Sequence, residues 1–186
     1  MEACSFASPT ALPPDPQRRL VLGATLPLTP CSLRQRLNPA MAIEVCDGED
    51  ADRPDAIVAP YGERRPGWRS APLWSEPLAL YVRPGHAPEP ADLADMTLVT
   101  CGAWTSAMLA GLGVSPAHIH YGRDWRDVAT LVAEGFGITI AGISAAEIFG
   151  PDVRALPIDG WLTYCVYWRE GDDTPGLGRL LEHPHG

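Results

Sequence analysis

Short apolar runs alternate with helical patterns along this chain, and almost every run is closed by glycine or proline. With 18 glycines and 20 prolines among 186 residues, no element has room to grow long. The core must therefore be assembled from many short pieces. Strands are expected at 19–24 (RLVLGA), 42–48 (AIEVCDG), 55–60 (DAIVAP), 72–85 (PLWSEPLALYVRPG), 97–101, 117–122, 137–142, 153–158 and 161–170. In the fourth of these, Leu78, Leu80 and Val82 point one way while Ala79, Tyr81 and Arg83 point the other. The last, WLTYCVYWRE, is apolar on both faces and is expected to be central.

Helices are expected between these strands. At most two turns fit between Pro30 and Pro39, and a further helix spans about 104–112. Another runs from Trp125 to Glu134, with Asp124 as its N-cap and Gly135 as its left-handed stop. Trp125, Val128, Ala129 and Val132 form its apolar stripe, with Leu131 beside it. Short helices follow within ISAAEIFG and GLGRLLEHP. Strands alternating with helices predict an α/β layering with largely parallel sheets.

Charge narrows the partners. The formal net charge is −9, and all 14 basic residues are arginine. An acidic chain without a basic cluster lacks the footprint that phosphate backbones require, so direct DNA binding is not expected. The absence of lysine excludes Schiff-base chemistry and a P-loop. Cys4, Cys31, Cys46, Cys101 and Cys165 are odd in number and widely spaced, which predicts reduced thiols rather than a disulfide framework or a zinc site. The first 17 residues, with four prolines and no apolar run, read as a flexible tail and not as a signal peptide. No segment is long enough to span a membrane, and a cytoplasmic location is expected.

Five pieces in order carry a resemblance: RLVLGATLPL, PLWSEPLALYVRPGHA, PADLADMTLVT, WRDVATLVAEGFGITIAGISAAE and VRALPIDGWLTYCVYWRE. Together they resemble the effector domain of LysR-type transcriptional regulators over about residues 19–183. The resemblance implies a two-lobed, periplasmic-binding-protein type 2-like fold with two crossing hinge strands. Lobe I would take 18–82 plus 158–186, and lobe II 83–157. A small ligand would lie in the cleft between lobes, at the ends of strands. The family's winged helix-turn-helix domain is not expected here, and its long first helix is reduced to 29–41. That erosion leaves a homodimer an open question.

The resemblance also places candidate residues. Thr25 and Leu26, with Pro27, would offer a hydroxyl and backbone donors to the cleft, an ordinary β-turn being the plainer alternative. Pro60 and Tyr61 close the third strand at the hinge, where Tyr61 either covers a ligand or packs a loop. Thr100, Cys101, Gly102, Trp104 and Thr105 mark a strand end and a helix start, where free N–H groups favour an anion such as a carboxylate. Cys101 is either a thiol activated by that helix end or a small buried hydrophobe. His118 and His120 alternate on one face, but no third ligand is near, and no metal is expected. Arg123 either binds a ligand carboxylate or pairs with surface acids. Gly142 and Ile143 end a strand facing the cleft, Gly142 standing where relatives commonly carry proline. Trp125, Trp161 and Trp168 each fall on a regular apolar face and are assigned to the core.

Two functions of different class fit this reading. In the first, a stand-alone, regulatory domain binds a small organic metabolite, carboxylate-bearing by the amide argument, in the inter-lobe cleft. In the second, the same cleft is that of an enzyme of secondary metabolism, a lyase, isomerase or cyclase working without metal or cofactor. Its proton-transfer candidates are Tyr61, Cys101, His120 and Asp124.

Overall fold

The computed structural model describes residues 19–24, 27–37, 43–47, 54–62, 65–89, 92–172 and 174–181. The expected tail, and Thr25 and Leu26, lie outside these. Apolar β1 (Leu20–Ala24) leads into α1 (Pro30–Arg36), which Thr29 caps by accepting the Ser32 N–H, with Pro30 in the first turn. Strands β2 (Ile43–Asp47) and β3 (Ala56–Pro60) lie on either side of β1 and run parallel to it. The second lobe contains β5 (Thr97–Thr100), α2 (Ala103–Gly111), β6 (His118–Tyr121), α3 (Trp125–Ala133), β7 (Thr139–Gly142) and α4 (Ala146–Phe149), in that order. There β5 and β6 are parallel, and a bridge from Leu98 to Ile138 sets the β7 approach parallel as well.

Two long strands run through both lobes. They are β4 (Trp68–Val82) and β8 (Arg154–Arg169), and α5 (Pro175–Leu181) follows them. They pair antiparallel from Trp68 opposite Arg169 to Val82 opposite Arg154. At one end β8 borders β3, and at the other β4 borders β7, giving the order β2-β1-β3-β8-β4-β7. The two strands expected at 153–158 and 161–170 are thus one. The register slips between Pro77 and Ala79, where Pro77 faces Trp161 and Ala79 faces Pro157. Residues 158–160 bulge there, and Gly160 takes φ +139°, a region that favours glycine. The assignment of Trp161 to the core is overturned: at the edge of this bulge it is 70% exposed. Trp125 is buried, and Trp168 is partly buried against the first core.

One core gathers Leu20, Leu22, Leu33 and Leu37 with Trp74, Leu162 and Tyr164, and continues to Leu98, Leu109 and Ile140 of the second lobe. A second core packs the α3 stripe, Trp125, Val128, Ala129 and Val132, on Tyr81, Val99 and Phe149. Trp104 packs against both. No helix among the described residues is long and apolar enough to cross a membrane.

The turn between α3 and β7 shows how tightly the second lobe closes. Gly135 stops α3 at φ +79°, its N–H donating to Val132 O, and Gly137 then passes beside β5. A Cβ at Gly137 would lie 2.3 Å from Thr97 O and 2.8 Å from Val99 Cγ2. Gly137→Ala is expected to cost about 1–3 kcal/mol through this overpacking, read as an earlier urea midpoint at unchanged slope. An unchanged midpoint would show that β7 moves off β5 freely.

Candidate functional site

Because β5, β6 and β7 are parallel, their C-terminal ends emerge on one side of the second lobe, the usual location of ligand crevices in such sheets. Thr100 ends β5 fully buried. Its hydroxyl bonds to Thr105 Oγ1 at 2.8 Å and accepts the Gly102 N–H at 3.0 Å. These two threonines therefore brace the turn. Gly102 is the N-cap of α2 and offers no side-chain cap, which leaves first-turn amides unoccupied by side chains. The Trp104 indole folds back over Gly102, where a Cβ would meet Nε1 at 2.7 Å, and its ring lies 5.6 Å from Trp125.

The proton-transfer candidates do not form a working group. Cys101 is half-buried, and burial, reinforced by the charge of Asp124, pushes its thiol up to about 12. It stays protonated at neutral pH, so the bland reading prevails over activation by the helix end. Asp124 caps α3, accepting the N–H groups of Arg126 at 2.9 Å and Asp127 at 2.8 Å. Exposed Arg123 pairs with Asp127 at 3.4 Å, the surface alternative raised for it. His120 is exposed, its ring 4.8 Å from Phe136. Tyr61 is 74% exposed beyond β3, while the buried Pro60 carbonyl accepts the Tyr167 hydroxyl at 2.8 Å.

The densest polar arrangement lies elsewhere, where the long strands meet β7. Alternation along β4 places Trp74 and Glu76 on one face, opposite Tyr164 and Leu162 of β8. Glu76 is only 4% exposed. Its Oε1 accepts the Ser144 hydroxyl at 2.7 Å and the Tyr164 hydroxyl at 2.9 Å. Arg36, from α1, brings Nη2 to 3.2 Å from Oε2 and sets its guanidinium carbon 5.7 Å from the Trp74 ring centre. The Trp74 and Tyr164 rings are 4.8 Å apart. A buried carboxylate is costly unless paired and hydrogen-bonded, and this one is both. Burial first, then the charge of Glu76, holds the Tyr164 and Tyr81 hydroxyls well above the ordinary tyrosine range. Both therefore remain donors, Tyr81 to the carbonyls of Gly142 at 2.7 Å and Ile143 at 3.0 Å.

Gly142 belongs to this centre. Its backbone, at φ −64°, would suit proline. A Cβ would nevertheless fall 1.8 Å from Glu76 Oε1 and 2.7 Å from the Tyr164 hydroxyl oxygen. Glu76 thus leaves room at position 142 for glycine and not for a side chain. A second tie joins α1 to the other lobe, the Ser32 hydroxyl bonding Glu147 Oε2. The expected set Thr100–Thr105 with Gly142–Ile143 is thus clustered at the strand ends. Arg36, Trp74, Glu76 and Tyr164 were missed, though one cue was visible: an acid inside the alternating run LWSEPLALYV.

An open hollow of about 690 Å³ lies away from this centre, on the outer face between α3 and α4. Arg83, Arg126, Ala129, Glu134, Phe149 and Asp152 are among its lining residues. Residues of both charges line it, and it holds none of the residues of the Glu76 centre.

Two outcomes test this geometry. Gly142→Ala is expected to cost about 1–3 kcal/mol by overpacking and much less in a Glu76→Ala background, a coupling read by a double-mutant cycle in urea. Additive costs would mean that the carboxylate is not what excludes the methyl. Iodoacetamide at mildly alkaline pH is expected to label exposed Cys31 well before Cys101, by peptide mass spectrometry; equal rates would contradict the raised thiol.

Comparison with known proteins bears on the fold. The profile of the LysR substrate binding domain matches residues 32–184. No curated protein sequence matches the chain. Among solved structures, full-length CbnR complexed with its target DNA is similar at a TM-score of 0.66 and 20% identity, over 89% of this chain and 68% of that one. The BenM effector binding domain with its effector benzoate is similar at 0.61 and 18% identity, over 89% and 90%. Full-length OxyR from Pseudomonas aeruginosa, as a variant, is similar at 0.61 and 19% identity, over 88% and 72%. The two-lobed fold with shared crossing strands is the one these structures have, and this chain belongs to the LysR substrate-binding domain family.

Proposed function

We propose that this chain binds a small organic metabolite in the cleft between its lobes and serves as an effector-sensing domain. The observation that carries the reading is the meeting of the β7 end, the crossing strands and the lobe-bridging helix α1 at one buried polar centre. The ligand's carboxylate lies toward the amides at Gly102–Trp104, and Trp104 supplies the apolar wall. Benzoate as the effector of BenM supports an organic acid of that size. With a net charge of −9, the domain acts without touching DNA directly.

Catalysis as a lyase, isomerase or cyclase ranks behind binding, because the acid–base candidates are spent on other tasks. Asp124 caps a helix, Cys101 is held as a thiol, and Tyr61 and His120 lie exposed, the charge partner of His120 being Asp127, which Arg123 already engages.

Titration with a panel of small organic acids, benzoate first, is expected to give saturable quenching of tryptophan fluorescence. Trp104→Ala should weaken it at least ~10-fold, about 1.4 kcal/mol. Chromatography should recover the bound acid unchanged. Absence of saturable binding across the panel would overturn the reading, and consumption of the acid would move it to catalysis.

A further inference from the structure

We infer that Trp74 and Glu76 form a receptor for a guanidinium or ammonium group, that Arg36 fills it in this structure, and that a cationic ligand group enters by displacing the Arg36 side chain. The inference rests on the cleft reading above and adds the chemistry of the ligand's second end.

The receptor is built before any ligand reaches it. Glu76 is held from both lobes, by Tyr164 on β8 and by Ser144 just after β7, and at 4% exposure it has nowhere to turn. A carboxylate beside an indole face is the combination that favours a planar cation, through charge-assisted bonds on one side and the ring quadrupole on the other. Gly142 leaves open the space this carboxylate needs.

Arg36 fits the receptor imperfectly. Its Nη2 is within ion-pair distance of Oε2, yet Oε2 accepts no hydrogen bond among the described residues. Trp74 Nε1, in a side chain more than nine-tenths buried, likewise has no partner among them. An acceptor and a donor are therefore unused in the same small centre, a situation rare for buried polar atoms and costly to maintain. A ligand bearing a cationic donor beside an acceptor would satisfy both.

Arg36 is also the part most easily moved. Its side chain is 35% exposed, and it is carried on the last turn of a seven-residue helix. Swinging outward returns its charge to water, whereas Glu76 could leave only by breaking two hydroxyl bonds. The fixed charge of the centre is thus negative and the exchangeable one positive. An anionic group would face Glu76 directly, so the ligand's carboxylate must lie away from it.

The test uses the full chain with millimolar methylguanidinium and methylammonium at matched ionic strength, followed by tryptophan fluorescence and thermal melting. Arg36→Ala should respond saturably to at least one cation, at least tenfold more tightly than the native chain, which must first release its own arginine. Adding Glu76→Gln should abolish that gain. Arg36→Gln, which keeps the stem, serves if the alanine variant folds poorly. Equal, non-saturable responses in all variants, or binding that survives Glu76→Gln, would overturn the receptor. Retained benzoate binding without any cation response would overturn the receptor alone and leave the cleft reading standing. A cation response without benzoate binding would support the receptor while removing the carboxylate end.

Discussion

A carboxylate sealed at the junction of two lobes dictates much of what surrounds it. Transferring such an ion from water costs several kcal/mol even after relaxation, and each charge-assisted hydrogen bond returns about 1.5–3 kcal/mol. Two hydroxyls and one guanidinium are what Glu76 receives, from β8, from the turn after β7 and from α1. On these magnitudes the centre roughly breaks even in stability. Its contribution is orientation: two hydroxyl donors and one paired cation meet the carboxylate only when both lobes and α1 are in one arrangement. The glycine at 142 follows from it, since a methyl has no room, and the tyrosine hydroxyls lie high first because they are buried and then because a phenolate beside that carboxylate would be repelled.

The long β4–β8 pair makes such a centre attainable. Each strand contributes one stretch to the β3 side and another to the β7 side, so residues on a single face of the pair are presented to both lobes. Slippage at Pro77–Ala79 absorbs the change of direction, and Gly160 tolerates the backbone this needs. Helix α1 is short, yet Ser32 ties it to Glu147 of the second lobe and Arg36 ties it to Glu76 of the crossing strand β4.

The ligand that fits this picture has two unlike ends. The start of α2, which no N-cap side chain covers, suits a carboxylate, and the indole of Trp104 suits an apolar middle. The Glu76 centre suits a cation. On the proposed reading these requirements would differ from those of a simple aromatic acid, although the fold is shared with BenM in its benzoate complex.

Local patterns were legible in the sequence wherever the deciding interactions were local. The α3 stripe, the Asp124 cap and the Gly135 stop each depend on residues within one or two turns, and each stands where periodicity and capping chemistry put it. Resemblance, not periodicity, supplied the two-lobed arrangement, and the strand-end cluster at Thr100–Thr105 and Gly142–Ile143 came with it. Tertiary structure alone decided the rest. The partners of Glu76 lie 68 and 88 positions away along the chain, a separation no window of sequence spans. The Cys101 thiol is governed by burial and by Asp124, which a sequence does not weigh against a helix end. Trp161 looked like core because its strand is apolar, but a bulge turned it to solvent. Sequence by itself determined the helices and their caps, because those hydrogen bonds close within a few residues, and the positions of the strands, because apolar runs mark them. Only the folded chain decided the site, because its energy comes from charges and hydroxyls that burial brings together.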